Sequence, residues 1–262
     1  MRVLHVWNTA GVASVIAKYQ AKVLGWDTWV VTRSEFDRFG LTVYGEAMRC
    51  GARMFSLRVL LKARGYDVIH IHSFDKILPL LKRLYPRKPL VLHYHGSEVR
   101  GKWSAKREYC RLADVVLVST PDLLDGAPEG VIYLPNPVDT EIFKPMPTLR
   151  RSLTAVYLIK HQKGEDPGWA KRVASKLGLR LTVRDRMKDP IPYPKLPRFL
   201  NSFEYYIDRN YVPSLSKTAL EALACGLKVI RWDERTVEGL PEEHRPEKVV
   251  STLAEIYEYL KR

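Results

Sequence analysis

The 262-residue sequence has few cysteines and no long hydrophobic run. Its three cysteines, Cys50, Cys110 and Cys225, are widely spaced and form no CxxC pair, which excludes a zinc ribbon and disfavours a disulfide framework. No apolar stretch reaches the ~18 residues of a membrane span. The first residues also lack the apolar core of a signal peptide. We therefore expect a soluble protein in a reducing, cytoplasmic compartment.

Acidic residues are scarce relative to basic ones. Forty-three lysines and arginines face 29 aspartates and glutamates, which leaves a net charge of +14, spread over both halves of the chain. Such a surplus favours anionic partners: nucleic acid, phosphorylated metabolites or acidic lipid headgroups. RNP, KH and helix-turn-helix signatures are absent, so nucleic acid is the less favoured partner. Hydrophobic residues at 46% and charged residues at 27% exclude a disordered or fibrous chain.

Short β-branched runs alternate with longer amphipathic stretches along the whole chain. The runs predict strands at 2–7, 28–32, 67–72, 89–94, 114–119, 131–134, 154–159, 179–184, 203–207 and 227–232. Helical patterns between them include 12–24, 76–85, 169–177, 218–225 and 248–260. This alternation predicts an α/β protein with parallel sheets covered by helices.

A proline-rich, basic segment at 143–151 separates the two series of strands. We therefore expect two Rossmann-like domains, 1–147 and 148–262, facing one another across a cleft. Ligands of open α/β sheets bind at the carboxyl ends of the strands, so the loops there are the candidate sites.

The loop after the first strand contains a glycine that could bind a phosphate. Gly11 follows the first strand, where a glycine lets backbone N–H groups approach a phosphate or a hydroxyl; the alternative is that it only makes the turn. The loop is not GxGxxG, which disfavours a dinucleotide cofactor.

His70 and His72 lie on one face of a strand. Imidazoles are common zinc ligands, but no third ligand has a convincing spacing, so packed polar residues are favoured and no metal is expected.

An apolar strand ends in His95-Gly96, followed by Glu98 and Arg100. The glycine permits a sharp turn that leaves the His95 ring at the carboxyl end of the strand. There it could donate a hydrogen bond to a sugar hydroxyl or to a developing negative charge. The alternative is a histidine that caps the next helix.

The second half contains a capped helix start. Ser216 is a candidate N-cap, and Lys217 and Thr218 follow at the positive end of the helix dipole, where a phosphate would bind. Glu221 comes one turn later, where it could accept hydrogen bonds from ribose hydroxyls. A purely structural cap is the alternative.

Taken together, these loops resemble the retaining, GT-B-fold glycosyltransferases of glycosyltransferase family four. Four stretches match in order and spacing: Ala10-Gly11, His95 to Arg100, Leu134-Pro135-Asn136-Pro137-Val138-Asp139-Thr140-Glu141-Ile142-Phe143-Lys144-Pro145, and Leu220 to Gly226 leading into Lys228-Val229-Ile230. Two departures stand out. Pro213 occupies the position of the family's first acidic residue, and Leu158 that of its arginine after the first strand of the second domain.

The resemblance implies a glycosyltransferase that moves a sugar from a UDP- or GDP-linked donor to a carbohydrate or lipid-linked acceptor, with retention and without a metal or cofactor. The second domain would bind the donor and the first the acceptor. His95 would contact the transferring sugar and act as the catalytic residue. Donor-binding residues would be Gly11, Lys160, Lys163, Ser216, Lys217, Thr218 and Glu221.

Two further expectations concern partners. The helical stretch 76–85 and the group Arg49, Arg53, Arg58, Lys62 and Arg64 interleave basic with apolar residues, a pattern that fits peripheral contact with an anionic membrane; a solvated surface is the alternative. The departures from the family pattern keep open a non-catalytic, glycosyltransferase-like partner subunit.

Overall fold

The computed structural model describes residues 1–159 and 165–261. They form two compact units: residues Met1–Pro137 together with the chain from Pro246 onward, and residues Val138–Arg245. Each unit has its own sheet, dominated by parallel strands, as the alternation of runs predicts.

The sheet of the first unit contains seven strands in the order β3-β2-β1-β4-β5-β6-β7. All neighbouring pairs are parallel. The strands are β1 (Arg2–Val6), β2 (Asp27–Arg33), β3 (Glu46–Met48), β4 (Val68–His72), β5 (Leu90–Tyr94), β6 (Val115–Val118) and β7 (Ile132–Tyr133). Because all run the same way, their carboxyl ends lie along one edge of the sheet.

Helices cover both faces of this sheet. They are α1 (Val12–Leu24), α2 (Ala52–Ala63), α3 (Leu78–Leu84), α4 (Arg107–Leu112) and, from the end of the chain, α8 (Pro246–Leu260). The buried side of α8 packs with the buried side of α1 in one hydrophobic cluster, to which Val15, Ile16, Val250 and Leu253 belong.

The second unit has a five-stranded sheet in the order β12-β11-β10-β8-β9, with only the edge strand β12 antiparallel. The strands are β8 (Thr154–Ile159), β9 (Arg180–Asp185), β10 (Tyr205–Ile207), β11 (Lys228–Ile230) and β12 (Thr236–Val237). The helices are α5 (Pro167–Lys176), α6 (Leu196–Leu200) and α7 (Lys217–Ala224). In this sheet β8 lies between β9 and β10.

The unit boundaries differ from those that the proline-rich segment suggests. The chain enters the second unit at Val138, ten residues before the predicted boundary, and leaves it again before α8. The early entry reflects packing of the connecting segment, since the Phe143 ring lies 5.3 Å from that of Tyr193 and Asn201 binds the backbone of Lys144 and Met146. The return follows from the apolar stripe of α8, which is buried with α1.

All ten predicted strands are present, most within two residues of their expected bounds. The short strands β3 and β12 were not predicted, since two or three residues give no measurable alternation. Helices α2, α4 and α6 were also missed as helices. The α2 sequence reads as a basic group because its exposed side combines arginines with leucines.

Candidate functional site

Five histidines form one buried cluster at the carboxyl half of the first sheet. On the face covered by α1 and α8, strands β1, β4 and β5 each continue from a buried valine to an imidazole two residues later. The cluster consists of His5, His70, His72, His93 and His95, and neighbouring ring centroids lie 4.2–5.4 Å apart. The register explains the contact, because His5 pairs with His70 and His72 with His93 across adjacent strands. Side chains two residues apart in a strand share a face.

Both ring nitrogens of His95 are bound by protein groups. His95 Nε2 lies 3.0 Å from His72 Nδ1, and His95 Nδ1 is hydrogen-bonded to the Ser119 hydroxyl at the end of β6. Ser119 also lies 3.0 Å from His93 Nε2. The predicted position of His95 at the carboxyl end of a strand is therefore present, and its imidazole is held on two sides.

The loop after β5 is tied to the loops after β1 and β4. The Glu98 carboxylate accepts hydrogen bonds from the Ser73 hydroxyl, at 2.7 Å, and from the His95 backbone N–H. The Thr9 hydroxyl donates to Ser73 in turn, at 3.0 Å. Ser73 has a φ of 61°, a strained conformation for a residue with a side chain. The network holds the loops of three neighbouring strands at one edge.

Burial keeps the imidazoles of this cluster uncharged. It lowers the pKa of His5 to about 4, although the Gln20 hydrogen bond acts to raise it. It lowers the pKa of His95 to about 4 as well, against the opposing effects of the Glu98 charge and of Asn136. The pKa values of the other three rings are also well below the ordinary value, because of burial and then of neighbouring imidazoles.

Two groups of three imidazoles have the proximity that a metal ion would need. In His5–His70–His72 and in His72–His93–His95, one nitrogen from each ring lies within 4.8 Å of the others. Two of these pairs are also hydrogen-bonded, His5 with His72 at 3.1 Å and His72 with His95 at 3.0 Å. His72 belongs to both groups, and both of its ring nitrogens take part in these hydrogen bonds. We therefore interpret the cluster as a hydrogen-bonded network.

Gly11 occupies the N-cap position of α1 with a φ of 76°, which is unfavourable for any residue with a side chain. Leu41 lies beside it, 3.6 Å from the position that a Cβ atom would take. The Asn8 carboxamide accepts the Ser14 N–H in the first turn of the helix. The predicted turn is thus present, and its glycine is required by backbone conformation.

In the second unit, α7 begins with the predicted cap. The Ser216 hydroxyl accepts the Ala219 N–H at 3.1 Å, and the Asp208 carboxylate accepts the Ser216 N–H at 2.8 Å. Asp208 directly follows β10, so the strand end holds the helix start in place. Thr218 is buried in the first turn.

Lys217 and Glu221, both expected to bind the donor, interact with one another. Lys217 Nζ lies 2.7 Å from Glu221 Oε1, and the Tyr193 hydroxyl donates to the same oxygen at 2.9 Å. Burial and the Glu221 charge raise the pKa of Tyr193 well above its ordinary value. The lysine therefore neutralises a buried carboxylate at the helix start.

Two arginines that the sequence analysis did not single out follow neighbouring strands. Arg186 follows β9; it is buried, which lowers its pKa, while the nearby Glu221 acts in the opposite direction. Arg209 follows Asp208 after β10, and its Nε atom is buried without a hydrogen-bond acceptor among the residues described. Since β8 lies between β9 and β10, these cations flank the carboxyl end of β8. Both arginines closely follow predicted strands, and this position is the sequence signal that could have identified them. The predicted Lys160 and Lys163 lie outside the described residues.

Two α/β units with mostly parallel sheets, together with the solved structures of similar fold, identify the class of protein as the GT-B glycosyltransferase fold. Solved structures with this likeness include a sucrose-phosphate synthase from Thermosynechococcus elongatus, with 13% identity over 100% of this chain and 91% of that one and a TM-score of 0.56. An α-glucosyltransferase in complex with UDP-glucose and DNA containing an abasic site has 12% identity over 99% of this chain and 90% of that one, with a TM-score of 0.64. At such identities the likeness concerns the fold.

The family follows from the sequence itself. The family model for Glycosyltransferase Family 4 matches residues 12–142, half of the chain. The protein therefore belongs to glycosyltransferase family 4. None of the curated proteins compared with it gives a significant match.

Proposed function

We propose that the protein transfers a sugar from a UDP- or GDP-linked donor to a carbohydrate or lipid-linked acceptor, with retention of configuration and without a metal ion. The observation that carries the proposal is the set of cationic and N–H groups at the strand ends of the second unit. Arg186 and Arg209 flank the end of β8, and α7 begins beside them with a capped N-terminus. Such groups stabilise the negative charge that develops on a departing diphosphate.

The roles in the second unit follow from this chemistry. Ser216 and Thr218 would present the helix start to the diphosphate, and Arg209 would supply a cation from the preceding loop. Glu221 Oε1 is occupied by Lys217 and Tyr193, so its second carboxylate oxygen would accept the ribose hydroxyls. Lys160 and Lys163 would complete the cationic groups of the donor site.

The first unit would hold the acceptor, with His95 in contact with the transferring sugar. Retention would proceed by attack from the face that the diphosphate leaves, with no protein nucleophile. Glu98 supports this assignment, because its carboxylate is bound by Ser73 and by the His95 backbone and so acts in holding the loop.

A thermal-shift panel tests the donor site. UDP, GDP and UDP-glucose are added with EDTA present, and we expect at least one to raise the melting temperature, since a ligand that binds only the folded state stabilises it. Glu221→Gln should remove the increment, measured against that variant's own baseline, whereas Glu234→Gln, on the surface beside Lys176, should keep it. No increment with any nucleotide, or one that needs Mg²⁺, contradicts the proposal.

Transfer is tested separately by product formation with radiolabelled donor and lipid or sugar acceptors. Anomeric configuration of the product, read by NMR, tests retention. Nucleotide binding without transfer to any acceptor would indicate the non-catalytic partner subunit instead.

We further propose that the first unit contacts an anionic membrane. Helix α2 contains no acidic residue, and it exposes Met54, Leu57 and Leu61 beside Arg53, Arg58 and Arg64. Tyr85, which follows α3, donates to the α2 backbone, and α3 exposes Leu80 and Leu84. Within the described residues no helix has the length and hydrophobicity to cross a bilayer, so contact would be peripheral.

A further inference from the structure

A continuous hydrogen-bond chain runs from the middle of α1 to His95. The Gln20 carboxamide oxygen lies 2.8 Å from His5 Nε2, His5 Nδ1 lies 3.1 Å from His72 Nε2, and His72 Nδ1 lies 3.0 Å from His95 Nε2. The chain continues through the Ser119 hydroxyl to His93 Nε2. All of these groups except the His95 side chain are fully buried.

The fifth imidazole, His70, is bound outside this chain. The Tyr257 hydroxyl is hydrogen-bonded to His70 Nδ1. The chain from Gln20 therefore includes four of the five imidazoles, and His70 is held separately by Tyr257.

If the imidazoles are neutral, the hydrogen atoms in the chain from Gln20 to His93 can be arranged in only two ways, which we call settings. A neutral ring has one N–H donor and one bare nitrogen acceptor, so each N–H···N link fixes the direction of the next. In one setting each of the four rings of the chain carries its hydrogen on Nε2; in the other, each carries it on Nδ1. The first setting gives every N–H of the chain an acceptor, whereas the second leaves the N–H of His93 Nδ1 buried without a partner among the described residues.

The Gln20 amide distinguishes the settings. Its oxygen faces His5 Nε2 and can only accept, so with the amide in this orientation His5 carries its hydrogen on Nε2. The same assignment then passes through His72 to His95. It is also the tautomer that a free histidine side chain prefers, so the amide and the intrinsic preference act together.

We propose that Gln20, His5 and His72 are positioning residues that hold His95 as a neutral imidazole with its hydrogen on Nε2 and its Nδ1 bound by Ser119. Its relevance to catalysis rests on the proposed function, in which His95 meets the transferring sugar. The ring then has a fixed orientation and no charge. A sugar hydroxyl that binds it does so by donating to Nδ1 in place of the Ser119 hydroxyl, whereas a donating role for His95 would require breaking its bond to His72.

The test is the ring ¹⁵N spectrum of the full chain labelled with ¹⁵N-histidine, because bare and hydrogen-bearing ring nitrogens have widely different shifts. Loss of signals in His95→Asn identifies its resonances. At pH 7.5 we expect His95 to carry its hydrogen on Nε2 in at least about tenfold excess. In Gln20→Met, which removes the acceptor, the Nδ1 form should become measurable.

Several results would overturn the proposal. One is a His95 ring in the unmodified protein that carries its hydrogen on Nδ1 or on both nitrogens. Another is a spectrum that Gln20→Met leaves unchanged, and a third is one equivalent of zinc in the purified protein, which would make the imidazoles metal ligands. The tautomer and the zinc content are measured on the unmodified protein, so a variant that fails to fold does not prevent the test. No nucleotide or acceptor is needed. If the spectrum shows the expected tautomer but no nucleotide raises the melting temperature, the result contradicts the proposed function and leaves the proposal about the tautomer intact.

Discussion

Lys217 and Glu221 lie one turn apart on α7, with Nζ and Oε1 separated by 2.7 Å and their side chains 8% and 2% exposed. An ion pair within a helix is ordinarily a surface feature worth a few tenths of a kcal/mol. Here both charges have lost most of their hydration, so each depends on the other. The resemblance to family 4 assigns both residues to the donor, yet in the structure each also has an internal role.

The first prediction concerns this pair. Glu221→Gln preserves shape but leaves the Lys217 ammonium buried without a counter-charge, and we expect the free energy of unfolding to fall by about 3–5 kcal/mol in urea denaturation. Lys217→Met added to Glu221→Gln should recover part of the loss, because no unpaired charge remains. The control Glu234→Gln breaks an exposed pair with Lys176 and should cost under about 1 kcal/mol. Similar losses for both glutamates would mean that the internal pair is solvated in solution.

The start of α7 gives the second prediction. Ser216→Ala removes the side chain that accepts the Ala219 N–H, and it should cost about 1 kcal/mol in unfolding free energy and weaken any stabilisation by nucleotide. Ser216→Thr, which keeps the capping hydroxyl, should cost less. The control Ser251→Ala, at an exposed position of α8, should have little effect. Equal stability of Ser216→Ala and the unmodified protein would show that the cap adds nothing.

The sequence is sufficient to predict the ten longer runs as strands, the first helix and the shared faces of the histidines on each strand, because these depend on local periodicity. The pattern His70-x-His72 places two rings on one side of β4 by the two-residue repeat alone. It does not show that His5 and His95 join them, since that requires β4 to lie between β1 and β5, and strand order is set by packing of the whole sheet.

Long-range partners explain the other omissions. Gln20 reads as a polar residue on an amphipathic helix, and only the folded position of α1 brings it to His5. The return of α8 to the first unit is equally non-local, because an apolar stripe predicts burial but not against which surface. The link between Glu221 and Tyr193 joins residues 28 positions apart, and no motif marks it.

Acid sensitivity is the third prediction. The pKa values of His5 and His95 are about 4 in the folded protein and near 6.5 when exposed, so the unfolded chain binds more protons between these pH values. Stability is therefore fully present above about pH 6.5 and is lost as the pH falls toward 4. Each ring contributes up to about 1.4 kcal/mol per pH unit.

Urea denaturation between pH 7.5 and 5 measures this slope above the range in which ordinary carboxylates titrate. We expect a steep decline that begins just below pH 6.5. His70→Asn should reduce the slope of the unfolding free energy against pH by the contribution of about one proton, whatever its effect on stability at pH 7.5. A flat profile down to pH 5 would mean that the rings accept protons in the folded state.

The last prediction concerns the exposed side of α2. Substituting Arg53, Arg58 and Arg64 with glutamine should weaken binding to phosphatidylglycerol vesicles by about 3 kcal/mol, roughly a hundredfold, since each charge near an anionic surface contributes about 1 kcal/mol. Substituting Met54, Leu57 and Leu61 with serine keeps the charge but removes the apolar side chains, which are 48%, 49% and 68% exposed, and should also weaken binding. The matched control replaces Arg172, Arg180 and Arg235, exposed arginines of the second unit, and should bind as the unmodified protein does. Sedimentation with phosphatidylcholine vesicles gives the neutral baseline. Equal losses for the two arginine triples would show that binding follows net charge alone, and α2 would then be an ordinary solvated surface.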